Sequence, residues 1–233
     1  MGGVADGPAI PVLYEDNHVL VVVKPPNVPS QEDDSRDPDM LTPLKADLKH
    51  RHGKPGNVFL GLVHRLDRPV GGVMVFAKTS KAASRLSDAV RTRSIRKEYT
   101  AVVHGRPKDP QGTLRHYLLK DSKTNRVSVV PPGKDGAKEA VLDYRVLGSQ
   151  DGLSLVRIEL HTGRPHQIRV QFSAIGCPLV GDQRYGGTHA QPGQQIALWS
   201  TQLQFEHPTT KETLRFTSEP MRSFPWILWD VKP

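Results

Sequence analysis

Hydrophobic residues along the chain fall mainly into short runs that have the length and composition of β-strands. Valine-rich runs over 12–14 and 19–23 predict two strands, and the density of β-branched residues in the second indicates a strand buried on both faces. Similar runs predict strands over 58–63, 73–77, 98–103, 114–119, 127–130, 140–146, 153–161, 196–205 and 213–217. Short strands therefore dominate the chain.

Helical spacing of apolar residues is confined to three segments, 42–51, 80–91 and 165–175. Thr79 or Ser80 can cap the second helix, and a proline suits the first turn of the third. Many short strands with few helices favour an α+β fold.

Length and charge narrow the choice of partners. A chain of 233 residues can bury one substantial core, so a single domain is expected. The net charge of +8 and a sequence pI near 9.7 suit a polyanion, either nucleic acid or an acidic membrane surface. A basic but inert surface is the plainer alternative.

Nothing in the sequence indicates export or membrane insertion. Cys177 is the single cysteine, which excludes an internal disulfide. Residues 1–10 are rich in glycine, do not resemble a signal peptide and are expected to be flexible. The longest aliphatic run, 19–23, is far shorter than the roughly 20 residues of a membrane-spanning helix. We therefore predict a soluble, cytoplasmic protein.

The segment 64–72, His-Arg-Leu-Asp-Arg-Pro-Val-Gly-Gly, separates two predicted strands. Its carboxylate, Asp67, stands between Arg65 and Arg68, and the proline and glycines that follow favour a turn. Such a carboxylate can be held ionised at the rim of a cleft. On these residues alone, a surface turn with an Arg–Asp ion pair is the simpler interpretation.

Four cations, Arg91, Arg93, Arg96 and Lys97, follow the second predicted helix within seven residues. They can interact with the helix dipole and with solvent. Given the net charge of the chain, contact with phosphate groups is at least as well supported.

Metal and nucleotide cofactors are not indicated. His50 and His52 have no third ligand at usable spacing, whereas structural zinc generally needs four ligands, so we predict no metal site. A glycine-rich phosphate loop is also absent from the sequence.

The segment 64–72 resembles the central motif of the RluA branch of pseudouridine synthases, commonly His-Arg-Leu-Asp, two variable residues and Thr-Ser-Gly. Val70 and Gly71 replace the usual Thr and Ser, so a hydroxyl that supports the loop is missing. Three further segments resemble family motifs in the right order: 24–27 (Lys-Pro-x-Gly, with Asn27 for Gly), 97–99 (Lys-x-Tyr) and 162–169 (Thr-Gly-Arg-x-His-Gln-Ile-Arg). Residues 181–182 and 185–186 match the next family segment.

The resemblance implies roles for individual residues. Asp67 would be the catalytic carboxylate and Arg169 would pair with it. Tyr99 would stack near the target uracil and could also position or accept the C5 proton late in the reaction. Ile168 would pack beneath the base. Arg65 would fill the position that the extruded uridine leaves in the RNA, although an ion pair with a neighbouring acid is an almost equal alternative.

The remaining motif residues, His64 and Arg164, are predicted to contact the substrate. The implied fold is a single domain over 11–233 with a mixed, largely antiparallel sheet and flanking helices. The small RNA-binding domain that often precedes such enzymes is not expected ahead of it. We expect a monomer that needs no cofactor and no membrane.

The implied reaction converts uridine to pseudouridine in ribosomal or transfer RNA. Asp67 can attack the sugar, remove its 2′ proton or add to the base, and the sequence leaves these three routes open. An inactive RNA-binding protein is one rival, favoured by the Val70-Gly71 departure. A nucleoside or glycoside hydrolase is another, although it usually needs a second carboxylate, and no motif supplies one.

Overall fold

The computed structural model describes residues 10–33, 37–53 and 55–229, which form eleven strands, three α-helices and two short 3-10 helices. The predicted flexible terminus, 1–10, lies outside the described residues apart from Ile10. The strands are β1 Val12–Glu15, β2 Val19–Lys24, β3 Gly61–Leu62, β4 Gly71–Ala77, β5 Arg96–His104, β6 Gln111–Asp121, β7 Arg126–Val130, β8 Lys138–Gln150, β9 Leu153–Leu160, β10 Leu198–Glu206 and β11 Thr213–Thr217. The helices are α1 Leu41–Arg51, α2 Ser80–Arg91 and α3 Gln167–Ala174, and the 3-10 helices are Gly187–His189 and Trp226–Leu228.

All eleven strands belong to one sheet, in the order β1-β2-β4-β10-β5-β9-β8-β6-β7. β11 pairs with β10, and β3 pairs with β4. Among the described strands, β4 and β10 are the parallel pair and the other pairs are antiparallel. This architecture confirms the predicted α+β fold with a mixed, largely antiparallel sheet. None of the helices described here has both the length and the apolar character needed to cross a membrane.

The predicted strand over 58–63 is wrong in extent, because only Gly61 and Leu62 pair. On one side, β4 ends at Ala77, the register partner of Gly61, so the residues before Gly61 have no strand to pair with. On the other side, the N–H of Val75 donates to the side chain of His64 and not to the backbone of β3. Val58 and Leu60 are buried by packing and not by strand pairing.

The third helix begins at Gln167, so the prediction that Pro165 lies in its first turn is wrong. His166, at the N-cap, has a φ of 51° in the left-handed region and interrupts the helical path. The carboxyl end agrees with the prediction, since the helix ends before Gly176. At α2, Thr79 accepts a hydrogen bond from Ala82 N (3.1 Å), as predicted for a cap.

The two faces of β2 and β4 are both buried, and each has its own hydrophobic cluster. Leu20 and Met74 face the main cluster with Leu48 of α1 and Phe172 of α3. Their neighbours on the other face, including Val73, pack against α2. Because Leu66, Val70, Tyr99 and Ile168 also belong to the main cluster, the segments singled out by sequence meet on this side of the sheet.

Two glycines allow β4 and β10 to approach closely. A Cβ at Gly71 would overlap the six-membered ring of Trp199, its register partner on β10. A Cβ at Gly72 would overlap the backbone of Ser200, and Gly72 has a φ of 120°. Both glycines belong to β4 rather than to the preceding loop, so the loop is shorter than the sequence motif suggests.

Gly71→Ser is expected to lower the free energy of unfolding by about 2 kcal/mol, because the added atoms must displace Trp199 within a packed core. Urea unfolding measures the change. Gly112→Ser in β6 is the matched control, since a Cβ there would lie 3.4 Å from the ring of Tyr144. Equal stability of Gly71→Ser and wild type would contradict this account of the β4–β10 contact.

Candidate active site

The turn that carries Asp67 is held from below by a buried lysine. Lys24, at the end of β2, is fully buried, and its ammonium donates to the carbonyl oxygens of Pro25 (2.9 Å), Arg68 (3.0 Å) and Val70 (2.7 Å). Burial lowers the pKa of Lys24 to about 7, whereas the charge of Asp67 opposes this shift. Three acceptors match the three hydrogens of a charged ammonium. Lys24 therefore fixes the backbone on the carboxyl side of Asp67.

The amino side of the loop is fixed by Ser30 and His64. The hydroxyl of Ser30 donates to Leu66 O (2.9 Å) and accepts from Leu66 N (3.3 Å). Nε2 of His64 accepts a hydrogen bond from Val75 N (3.1 Å). Burial, together with the charge of Lys97, lowers the pKa of His64 to about 3, so the ring is neutral. His64 thus holds the loop against β4, and its predicted contact with substrate stays a prediction.

The replacement of Thr-Ser by Val70-Gly71 does not leave the loop unsupported. Val70 is buried in the main cluster, and its N–H donates to Asp67 O (2.9 Å) to close the turn. Gln195 Nε2 donates to the carbonyl of Pro69 (2.6 Å). Apolar packing and backbone hydrogen bonds therefore support this loop where a hydroxyl was expected.

A single guanidinium links Asp67 to a second, buried carboxylate. Nη1 of Arg169 lies 3.0 Å from Asp67 Oδ2. Its Nε and Nη2 bind both oxygens of Asp182 at 2.8 and 2.9 Å. The side chain of Asp182 is 0% exposed, whereas that of Asp67 is 27% exposed. Arg169 is therefore anchored by the bidentate pair and presents its remaining nitrogen to Asp67.

Arg169 and Asp182 each stabilise the charged form of the other. Burial opposes the charged form of Asp182, but the hydrogen bonds and charge of Arg169 outweigh it and lower the pKa of Asp182. The backbone N–H groups of Arg184 and Tyr185 also donate to Asp182 Oδ1, at 2.9 and 3.0 Å. Burial likewise opposes the charged form of Arg169, and its two carboxylate partners raise its pKa nonetheless.

The position of Arg169 depends on a hydrogen-bond network that joins the start of α3 to the turn before it and to β8. Oε1 of Gln167 accepts from the Thr162 hydroxyl (2.8 Å) and from Arg164 N (3.0 Å), while Nε2 donates to Val141 O (3.1 Å). These bonds account for Thr162 and Gln167 within one motif, whereas Arg164 contributes only its backbone N–H. They fix the direction in which α3 leaves the sheet.

Asp67 opens onto a cleft of about 1270 Å³ that is lined by both apolar and cationic side chains. Tyr99 and Ile168 form part of its wall and are only 6% and 4% exposed. Burial, together with the negative charge of Asp67, raises the pKa of Tyr99, so the phenol stays protonated. Of the described residues that line the cleft, ten are lysine or arginine and three are aspartate or glutamate. The cleft is large enough for a nucleotide and attracts anions.

The cations predicted to contact RNA divide into paired and unpaired side chains. Arg91 pairs with Asp88 at 2.6 Å, and Arg96 pairs with Glu159 at 2.7 Å. Arg93 and Lys97 line the cleft, and their side chains have no ion pair or hydrogen bond with any described residue. Arg93 and Lys97 can therefore contact phosphate without breaking an ion pair to a described residue.

The two remaining arginines, Arg65 and Arg164, differ in whether their side chains are held by a described residue. Arg65 is exposed at the cleft, and the ion pair considered for it is absent among residues 10–33, 37–53 and 55–229. Arg164 also lines the cleft, but its Nε donates to Glu139 O (2.9 Å). Within the described part of the chain, no group of three or more His, Cys, Asp or Glu side chains is arranged to hold a metal ion.

The sequence did not assign roles to Lys24 and Asp182. Both lie in segments that match family motifs, so the sequence comparison includes them. Their roles depend on burial and on partners far along the chain, which the sequence does not show. A lysine at the end of a strand of four valines and one leucine was the available signal for Lys24. For Asp182, the only signal in the sequence was that residues 181–182 match a family segment.

Comparison with known proteins agrees with this arrangement. The family model for RNA pseudouridylate synthase matches residues 18–174. An uncharacterized RNA pseudouridine synthase of Bacillus subtilis, YjbO, is 40% identical over 205 residues, which cover 88% of this chain and 70% of the relative. Ribosomal large subunit pseudouridine synthase D of Vibrio parahaemolyticus is 36% identical over 226 residues, with 88% and 65% covered. The chain thus spans about two thirds of the length of these relatives.

A solved structure also has the same fold. Human RNA Pseudouridylate Synthase Domain Containing 4 superposes with a TM-score of 0.76 over 91% of this chain and 89% of that one, at 24% identity. At this identity, the superposition bears on the fold alone. Because the family model matches most of the chain and the two bacterial relatives are up to 40% identical, this chain belongs to the RNA pseudouridylate synthase family and is an RNA-modifying isomerase.

Proposed function

We propose that this chain isomerises a uridine in a structured RNA, ribosomal or transfer, with Asp67 as the catalytic carboxylate. The observation that carries the proposal is the placement of Asp67. Its carboxylate is held by Arg169 on one side and opens on the other to a cationic cleft that also contains Tyr99. The name of the Vibrio relative favours ribosomal RNA as the first substrate to test.

The chemistry requires a charged group beside the sugar. The bond between uracil N1 and the sugar breaks, the base turns, and C5 joins the same sugar carbon while the C5 proton is lost and N1 gains one. Positive charge develops on the ribose as the base departs, as in glycoside cleavage, and a carboxylate stabilises it. Attack on the sugar, removal of the 2′ proton and addition to the base are all compatible with an Asp67 that faces the cleft.

Tyr99 and Ile168 are placed to contact the uracil ring and not to transfer its protons. Both are buried in the wall of the cleft, and the phenol of Tyr99 is protonated because burial and Asp67 raise its pKa. A protonated phenol is a poor proton acceptor, so we assign stacking to Tyr99. Ile168 provides an apolar contact for the base.

The target uridine must leave its stack to reach Asp67, at a cost of a few kcal/mol. Arg65 is the candidate for filling the vacated position, because it is exposed at the cleft and unpaired among the described residues. Arg93 and Lys97, whose side chains have no partner among the described residues, are the candidates for contact with the RNA backbone.

The rival functions fit this geometry less well. An inactive RNA-binding protein was favoured by the missing hydroxyl, but Lys24, Ser30 and Val70 hold the loop without it. A hydrolase needs a second carboxylate to protonate the leaving group or activate water. Asp182, bound to the same guanidinium as Asp67, is sealed from the cleft with both oxygens bound to Arg169. The other two acids that line the cleft, Glu32 and Asp33, lie on the exposed segment before α1, where Asp33 pairs with Arg68 at 3.9 Å.

Asp67→Asn is expected to lower the rate of pseudouridine formation by at least about 1000-fold, because the amide carries no charge and cannot accept a proton. RNA binding should be retained, since the cations of the cleft remain. Uridine-containing ribosomal and transfer RNA transcripts are assayed for pseudouridine and for free uracil. Product from the variant at the wild-type rate would contradict the proposal, and uracil released by wild type would favour the hydrolase.

Arg169→Lys is expected to lower kcat about 100-fold with little change in KM, because an ammonium cannot bind Asp182 in a fork and still reach Asp67. Single-turnover kinetics measure the effect. The control is Arg85→Lys, which changes an exposed arginine on α2 that donates to Pro208 O (2.6 Å). Thermal unfolding shows whether both variants remain folded at the assay temperature. A wild-type kcat for Arg169→Lys would remove Arg169 from the proposed mechanism.

Arg93→Gln is expected to reduce the slope of log Kd for RNA against log salt by about 0.7 to 1, the effect of losing one phosphate contact. Arg96→Gln is the matched control, because Arg96 is paired with Glu159 and is not among the described residues that line the cleft. Binding is measured by fluorescence anisotropy at several salt concentrations. Equal slopes for the two variants would contradict the assignment of Arg93.

A further inference from the structure

His166 occupies a strained position at the mouth of the site. It is the N-cap of α3, and its φ of 51° lies in the left-handed region that residues other than glycine rarely adopt. Its ring lines the same cleft as Asp67. Backbone strain of this kind is retained where surrounding contacts enforce it, and it is common at functional sites. The side chain of His166 therefore needs an explanation of its own.

Tyr185 fixes the protonation of the His166 ring. The Tyr185 hydroxyl accepts a hydrogen bond from Val127 N (2.9 Å) and lies 2.7 Å from His166 Nδ1. The hydroxyl is buried, so the arrangement that leaves no group unpaired is donation of its hydrogen to Nδ1. In a neutral ring, the proton then resides on Nε2.

The environment favours that neutral ring. Burial lowers the pKa of His166; Asp67 and Asp182 act to raise it, and Arg169 and Arg184 act to lower it, with a net decrease. A charged imidazolium would also have to place a second proton on Nδ1, against the hydrogen from Tyr185. His166 therefore adds a donor to the site without adding a cation that would compete with Arg169 for Asp67.

Nε2 is the free end of this chain of hydrogen bonds. Nδ1 faces Tyr185, so Nε2 lies on the far side of the ring, and no described residue forms a hydrogen bond with it. When a nucleotide fills the cleft and excludes water, an unpaired N–H there carries the cost of lost hydration unless the ligand supplies an acceptor. Donors held in place at a dry site contribute strongly to catalysis.

We propose that His166 is a neutral hydrogen-bond donor, through Nε2, to an oxygen of the uridine bound at Asp67. Tyr185 is the positioning residue that selects the tautomer. This inference rests on the proposed function and adds a contact residue that the motif assignments did not include.

Two amide substitutions separate this role from a structural one. A glutamine amide nitrogen can occupy the place of Nε2, whereas an asparagine amide reaches only the place of Nδ1. His166→Gln is expected to retain kcat/KM within about 10-fold of wild type, and His166→Asn to lose about 100-fold, the usual effect of removing one such donor.

A structural role predicts the opposite order. Asparagine keeps a partner for Tyr185 and tolerates the left-handed backbone better than glutamine does. Activity of His166→Asn equal to or above that of His166→Gln would therefore overturn the proposal. Thermal unfolding of both variants identifies any loss that comes from folding.

The tautomer is tested separately from activity. In nitrogen-15 NMR spectra of wild-type protein with labelled histidine, we expect Nδ1 of His166 to be unprotonated and Nε2 protonated, and Tyr185→Phe to remove this preference. A proton on Nδ1 in wild type would overturn the inference even if the enzyme is active. Absence of pseudouridine with wild type would instead count against the proposed function, so the two failures are distinguishable.

Discussion

The geometry of the site depends on one guanidinium shared between two carboxylates of unequal exposure. Arg169 gives two nitrogens to the sealed Asp182 and one to Asp67, so the buried acid fixes the arginine and the arginine fixes the exposed acid. Breaking a buried pair by removing one partner typically costs about 3–5 kcal/mol, because a charge is left uncompensated. This cost keeps Arg169 in place while Asp67 stays accessible from the cleft.

Around this pair, the backbone is fixed by polar side chains that bind its carbonyl and N–H groups. The three carbonyls bound by Lys24 hold one side of the Asp67 turn, and Ser30 holds the other. Gln167 does the same for the turn before α3. Asp67 thus lies on a short turn and Arg169 in the first turn of α3, and the backbone beside each is braced by hydrogen bonds. A site built this way loses little entropy when it orients a nucleotide.

Sequence reasoning predicted the elements and the principal residues but not their supports. Asp67, Tyr99, Ile168 and Arg169 were identifiable because motif spacing carries them, and the structure places all four at one cleft. The supporting role of Asp182 depends on tertiary contacts, and a buried aspartate has no local signature. Strand β3 was predicted too long because the end of β4 and the hydrogen bond from Val75 N to His64 are tertiary features that the segment itself does not show. The start of α3 was misplaced because the backbone of His166 follows its contacts rather than its intrinsic preference.

The position of β10 in the sheet has a consequence for how the chain acquires its structure. β4 and β5 are close in sequence, yet β10, which comes more than a hundred residues after β4, lies between them. During synthesis, the edge of β5 that pairs with β10 and the first part of the facing edge of β4 stay unpaired until the ribosome has released residues 198–206. Exposed strand edges associate with other chains, and non-local pairing folds slowly. Nascent chains of this enzyme therefore pass through an extended interval in which they are vulnerable to aggregation and suited to chaperone binding.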